Sequence, residues 1–106
     1  MLMARRAAFA VLLGLLPACG GTTIDPTGYQ RSCAADTDCS AVYGGDVCAA
    51  CLCPNAGIAT KDLARFQKDT ASMQTHCPAN RPPVHCEPCV AMAPFCLDGQ
   101  CSAHAQ

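Results

Sequence analysis

Hydrophobic and polar positions along this chain change period several times, and each change marks an element. Ala7 to Leu16 run apolar without a charge, too short for a membrane span, which needs ~20 residues. "GGTTIDPTGYQR", Gly20 to Arg31, has no apolar period and reads as a solvated tether. Ser40 to Tyr43 reads as a short strand, Gly44-Gly45-Asp46 as a hairpin turn, and Val47 to Cys53 as the return strand, stopped by Pro54.

The period then becomes helical. In "ATKDLARFQKDTASMQTHC", Leu63, Phe66, Thr70, Met73 and Cys77 fall on one stripe, while Lys61, Asp62, Arg65, Lys68 and Asp69 lie elsewhere. This spacing predicts a helix over about 61–76, with Thr60 as N-cap, Arg65 and Asp69 as a spaced ion pair, and Pro78 past its end. The stripe is read as a packing face, with Cys77 stapling the helix end to the sheet. Pro78 to Pro83 is loop, and Val84 to Met92 is extended but interrupted at Pro88. Asp98-Gly99 is a strong two-residue hairpin signal, with Phe95-Cys96-Leu97 and Gln100-Cys101-Ser102 on its arms. The expected fold is a small disulfide-rich α+β domain, one amphipathic helix packed on short β-hairpins.

Composition explains what holds so small a domain together. The chain has 106 residues and 11 cysteines, and large apolar side chains are scarce beyond the first run. A core of this size is marginal by itself. Cys33, Cys39, Cys48, Cys51, Cys53, Cys77, Cys86, Cys89, Cys96 and Cys101 are therefore read as a disulfide framework. Each bridge contributes ~2–4 kcal/mol, chiefly by restricting the unfolded chain. Ten cysteines allow on the order of a thousand pairings, and sequence does not choose among them. Two local constraints apply. Cys51 and Cys53 share one face of a strand, so they need different distant partners. Cys96 and Cys101 face each other across the hairpin, and either bridge directly or both reach inward to the amino-terminal hairpin.

The eleventh cysteine, Cys19, belongs to the start of the chain. Arg5 and Arg6 precede the apolar run, and Pro17 and Ala18 follow it. This is the layout of an export signal over 1–18. "LPAC", Leu16 to Cys19, resembles the lipobox of bacterial lipoproteins. The resemblance implies cleavage before Cys19 and acylation of its thiol, and two or three acyl chains anchor a protein stably where one does not. In that family an Asp after the cysteine often retains the protein in the inner membrane. Here Gly20 follows, which implies the outer membrane. The competing reading is an ordinary secretory cut after Gly20, with Ala18 and Gly20 as the small pair. The expected organisation is a signal peptide over 1–18, a flexible tether over 19–31 and a stapled domain over 32–106. "CAADTDC" and "FCLDGQC", bracketing a helix-containing middle, resemble the frame of short cysteine-rich lipoproteins common in myxobacteria. That resemblance implies an architecture and a location, and no activity.

Charge and motif limit the chemistry. Past residue 18 the chain carries five bases against eight acids, a net −3, which gives nucleic acid no basic face to bind. The chain has one glutamate, Glu87, and no Gly-x-Ser-x-Gly stretch, so no hydrolase set is visible. Two Cys-x-x-Cys pairs stand out, Cys48 with Cys51 and Cys86 with Cys89. The second has Pro88 before its last cysteine and suggests a thiol–disulfide oxidoreductase. Such chemistry wants the first thiol at a helix N-terminus, and Pro94 breaks the segment that follows. The same four cysteines, with His76 and His85 as alternates, could ligate zinc only if reduced, which an exported chain is not. "CPANRPPVHC", Cys77 to Cys86, suggests an inhibitor-like loop, but its one basic residue, Arg81, precedes Pro82. The expectation is a lipid-anchored envelope protein: a non-enzymatic binding or structural module with no metal or cofactor. Its partners are the membrane, through Cys19, and an envelope protein or extracellular ligand.

Overall fold

The computed structural model describes residues 21–81 and 84–106; the expected signal segment over 1–18, Cys19 and Gly20 lie outside the described residues. Among the described residues the regular elements are three two-stranded antiparallel ladders, one α-helix and short 3-10 turns. Strand β1 (Thr23–Ile24) pairs with β3 (Gly45–Asp46), β2 (Cys39–Val42) with β4 (Ala56–Ala59), and β5 (Met92–Leu97) with β6 (Gln100–Ala105). The helix α1 (Leu63–Gln74) follows a 3-10 turn over Thr60–Asp62. The α+β class and the helix agree with the sequence.

The β5–β6 hairpin forms where the Asp98-Gly99 signal places it. Leu97 pairs with Gln100, and Asp98 and Gly99 both take positive φ, 50° and 77°. That turn geometry matches the twist of the flanking strands, and glycine adopts it without steric cost. A short third line joins this ladder: Cys33 N–H donates to the Gly99 carbonyl at 3.0 Å and Cys101 N–H to the Arg31 carbonyl at 2.6 Å. β6 also crosses β4 in backbone contact. A Cβ built on Gly57 would stand 2.4 Å from the Ser102 carbonyl oxygen, so only glycine permits this approach.

The amino-terminal hairpin differs from expectation. β2 takes its partner from Ala56–Ala59, beyond Pro54, and Val47–Cys53 is not a strand. Gly44 N–H and the Gly44 carbonyl both bind the Asn55 side-chain amide at 2.8 Å, which closes the longer connection. Gly45 and Asp46 pair with Thr23 and Ile24 instead. The segment expected as a tether is therefore part of the domain from Thr22 onward. Ile24 is 2 % exposed and belongs to the main core with Val42, Val47, Ile58 and Phe66. A two-residue strand with one apolar side chain has no period to detect.

Helix details also shift. Leu63, Phe66, Met73 and Cys77 pack on the core as the stripe predicts. Thr60 does not cap α1; Asp62 stands at the cap position, and the Thr60 hydroxyl bonds that of Ser40 at 2.8 Å. Arg65 pairs backward with Asp62 rather than forward with Asp69. Asp69 is taken by Tyr29, whose hydroxyl donates to it. Val84–Ala91 forms no strand and is exposed throughout. Among the described residues no helix is long and apolar enough to cross a membrane.

Candidate functional site

The ten framework cysteines form five bridges: Cys33–Cys96, Cys39–Cys101, Cys48–Cys77, Cys51–Cys86 and Cys53–Cys89. Cys51 and Cys53 have different distant partners, as their shared strand face would require, although they sit in a loop. Cys96 and Cys101 do not bridge each other but reach back to Cys33 and Cys39. The two resulting bridges form a second, sulfur-rich core, with Cys39 at 6 % and Cys101 at 0 % exposure. Cys77 ties the helix end to the turn after β3 rather than to a strand. Such bridges persist in an oxidising compartment, an extracellular or envelope location.

This pairing splits both Cys-x-x-Cys motifs. Cys48 and Cys51 go to Cys77 and Cys86, while Cys86 and Cys89 go to Cys51 and Cys53. Cys86 lies in irregular chain, with no helix beginning at it. None of the four sulfurs is a thiolate, the form that binds zinc. His76 and His85 are exposed beside this loop. Among the described residues, the group compact enough to share an ion is Cys33, Cys39 and Cys101, within 4.8 Å of one another. Their closeness is that of two neighbouring disulfides. Arg81, the basic residue of the expected inhibitor-like loop, folds back and donates from Nη1 to the Cys48 carbonyl at 2.7 Å. The ends of that loop, Cys77 and Cys86, do not bridge each other.

Five of the acidic side chains, Asp25, Asp36, Asp38, Asp46 and Asp62, accept hydrogen bonds from the backbone. Asp25 Oδ1 accepts from Thr27 N–H at 2.9 Å. Asp38 accepts from Ala34 and Ala35 N–H, and Asp36 from Cys96 N–H. Asp62 accepts from Arg65 and from Gln30 N–H. Those bonds, the Arg65 pair first, draw its pKa down to about 2. Tyr29 meets Phe66 edge-on at 4.8 Å between ring centroids, and the Arg65 guanidinium lies 4.3 Å over its ring. Burial, then the bond to Asp69, pushes the Tyr29 phenol up to about 12. This cluster clamps the amino-terminal segment to α1. Each carboxylate here is held by a structural donor, which leaves it poorly placed for acid–base work.

One concavity runs along α1. A groove of about 270 Å³ is lined by Val42, Leu52, Pro54, Phe66, Thr70 and Ala71, among others. The sequence stripe identifies Phe66 and Thr70 but not Leu52 and Pro54. These reach the helix because Cys51 and Cys53 on either side are pinned to Cys86 and Cys89. In α1, the buried Thr70 Oγ1 has no hydrogen-bond partner. Tyr43, Gln67 and Gln74 add polar groups to these mainly apolar walls, a lining that suits a small, mostly apolar ligand or side chain. Cys19, expected from the sequence to be the lipidation position, lies outside the described residues, two residues before the described chain starts at Gly21.

A scan of known protein families, a search of curated proteins and a search of solved structures each found no match.

Proposed function

We propose that this chain is a lipid-anchored protein of the bacterial cell envelope, held to the outer membrane through Cys19, that works by binding rather than by catalysis. One observation carries the reading. All ten other cysteines are paired among themselves, so Cys19 has no cysteine left to bridge within the chain. An odd cysteine directly after "LPA" is the position that the lipobox resemblance assigns to acylation. A non-catalytic role is supported by Asp25, Asp36, Asp38, Asp46 and Asp62 being held by backbone donors and by Cys-x-x-Cys pairs that do not close on themselves. The groove along α1 is the surface that best suits a ligand.

Fractionating cells that express the full chain tests the anchor. The protein is expected in the membrane fraction, and Cys19→Ala is expected to release it to the soluble fraction. Unchanged membrane retention of Cys19→Ala overturns lipidation. Counting thiols on the unreduced protein tests the structural role of these cysteines: two fast-reacting thiols among Cys48, Cys51, Cys86 and Cys89 would overturn it in favour of thiol–disulfide exchange.

A further inference from the structure

The distance between a lipid on Cys19 and the folded domain decides how the domain meets the membrane. A tether over 19–31 would extend to roughly 45 Å at ~3.5 Å per residue, enough for free tumbling. The fold removes that freedom. Val47 N–H donates to the Thr22 carbonyl at 2.7 Å, and Ile24 is buried in the core. Three Cα steps separate Cys19 from Thr22, at most about 11 Å at ~3.8 Å each. An acylated Cys19 therefore holds the domain against the headgroup layer, and the end of the fold around Thr22 is the end that touches it.

The surface there is suited to the task. Cys48, next to Val47, offers its carbonyl to Arg81 Nη1 at 2.7 Å. Cys48, Ala50, Arg81 and Val84 line one open hollow of about 420 Å³. Val84 is 57 % exposed and belongs to an exposed, strandless segment fastened by Cys51–Cys86. One Arg81 donor is used on Cys48, and a guanidinium has others that match phosphate oxygens. Of the acids near this end, Asp46 is turned onto the Cys48 N–H at 2.9 Å, and Glu87 lies exposed three residues past Val84.

We infer that the Cys48–Arg81–Val84 end is a phospholipid-facing surface, with Arg81 on headgroup phosphate and Val84 in the interfacial layer. This rests on the proposed acylation of Cys19. The α1 groove is then presented at a fixed height and orientation instead of at the end of a flexible leash.

The chain has no tryptophan, so single tryptophans report depth. The acylated full-length protein, extracted from membranes in detergent, is reconstituted into phosphatidylethanolamine/phosphatidylglycerol vesicles with brominated acyl chains. Val84→Trp and Leu97→Trp replace exposed residues. Leu97 lies at the other end of β2, where Cys96 N–H binds Asp36. Bromolipid is expected to quench Trp emission at least threefold more strongly at position 84 than at 97. Adding Arg81→Glu to Val84→Trp is expected to lower that quenching at least twofold. Equal quenching at the two positions in acylated, vesicle-bound protein overturns the orientation while leaving the anchor intact. Unchanged quenching with Arg81→Glu overturns the role of Arg81. A mass spectrum without acyl chains on Cys19, with protein left in solution, overturns the anchor itself.

Discussion

Tyr29 and Asp69, forty residues apart, are joined by a hydrogen bond from the phenol to the carboxylate, and this bond fastens the amino-terminal segment across α1. Arg65 covers the ring from above and Phe66 meets it at the edge. The segment leading toward Cys19 is thus locked to the helix beside the groove.

Tyr29→Phe removes that bond while keeping the ring. The expected loss is about 1 kcal/mol, the usual net worth of one hydrogen bond, read as a lower urea midpoint with unchanged slope. The native phenol has its pKa raised from 10.0 to about 12. Its contribution is therefore whole below pH 10 and disappears as pH rises from about 10 to 12. Absorbance titration should show a tyrosine phase near pH 12 that Tyr29→Phe abolishes. Survival of that phase in the variant rejects the assignment.

Gly57→Ala should be among the most damaging single changes in the protein. The added methyl carbon meets Ser102 backbone atoms at 2.4–2.8 Å, and backbone cannot rotate away as a side chain can. Overpacking costs ~1–3 kcal/mol even where neighbours yield, so a loss at or above the top of that range is expected in the thermal midpoint. A variant as stable as the parent would show that β4 and β6 do not cross this closely.

The five bridges should open in order of access. Cys86 and Cys89 are exposed, whereas Cys39 and Cys101 are buried. Under limiting dithiol reductant, Cys51–Cys86 and Cys53–Cys89 are expected to be alkylated first and Cys39–Cys101 last, as mapped by mass spectrometry. Replacing Cys39 and Cys101 together by Ala should cost ~2–5 kcal/mol. Simultaneous opening of all five would mean that the loop and the core unfold as one unit.

Thr70→Val is expected to stabilise. It replaces a buried hydroxyl without a partner by a methyl of similar size, and an unpaired buried polar group costs ~1–3 kcal/mol. Part of that cost should return as a higher melting temperature. Destabilisation would show that the Thr70 hydroxyl does find a hydrogen-bond partner in the folded protein.

How much of this was legible in the chain follows from the range of each interaction. The α1 stripe and the Asp98-Gly99 turn are local: spacing and backbone preference over a few residues specify them, and both formed where the sequence places them. The groove was half legible, because Phe66 and Thr70 belong to the stripe while Leu52 and Pro54 reach the helix only through bridges made at a distance.

By itself the sequence determined a disulfide-stabilised α+β domain with one helix: an apolar supply too small for a free-standing core needs cross-links, and a 3.6-residue period needs a helix. Only the tertiary structure decided that Cys96 turns to Cys33 and not to Cys101, that β2 pairs beyond Pro54, and that Ile24 belongs to the core. Those choices depend on which distant surfaces meet once the chain is closed, and no local pattern encodes that distance.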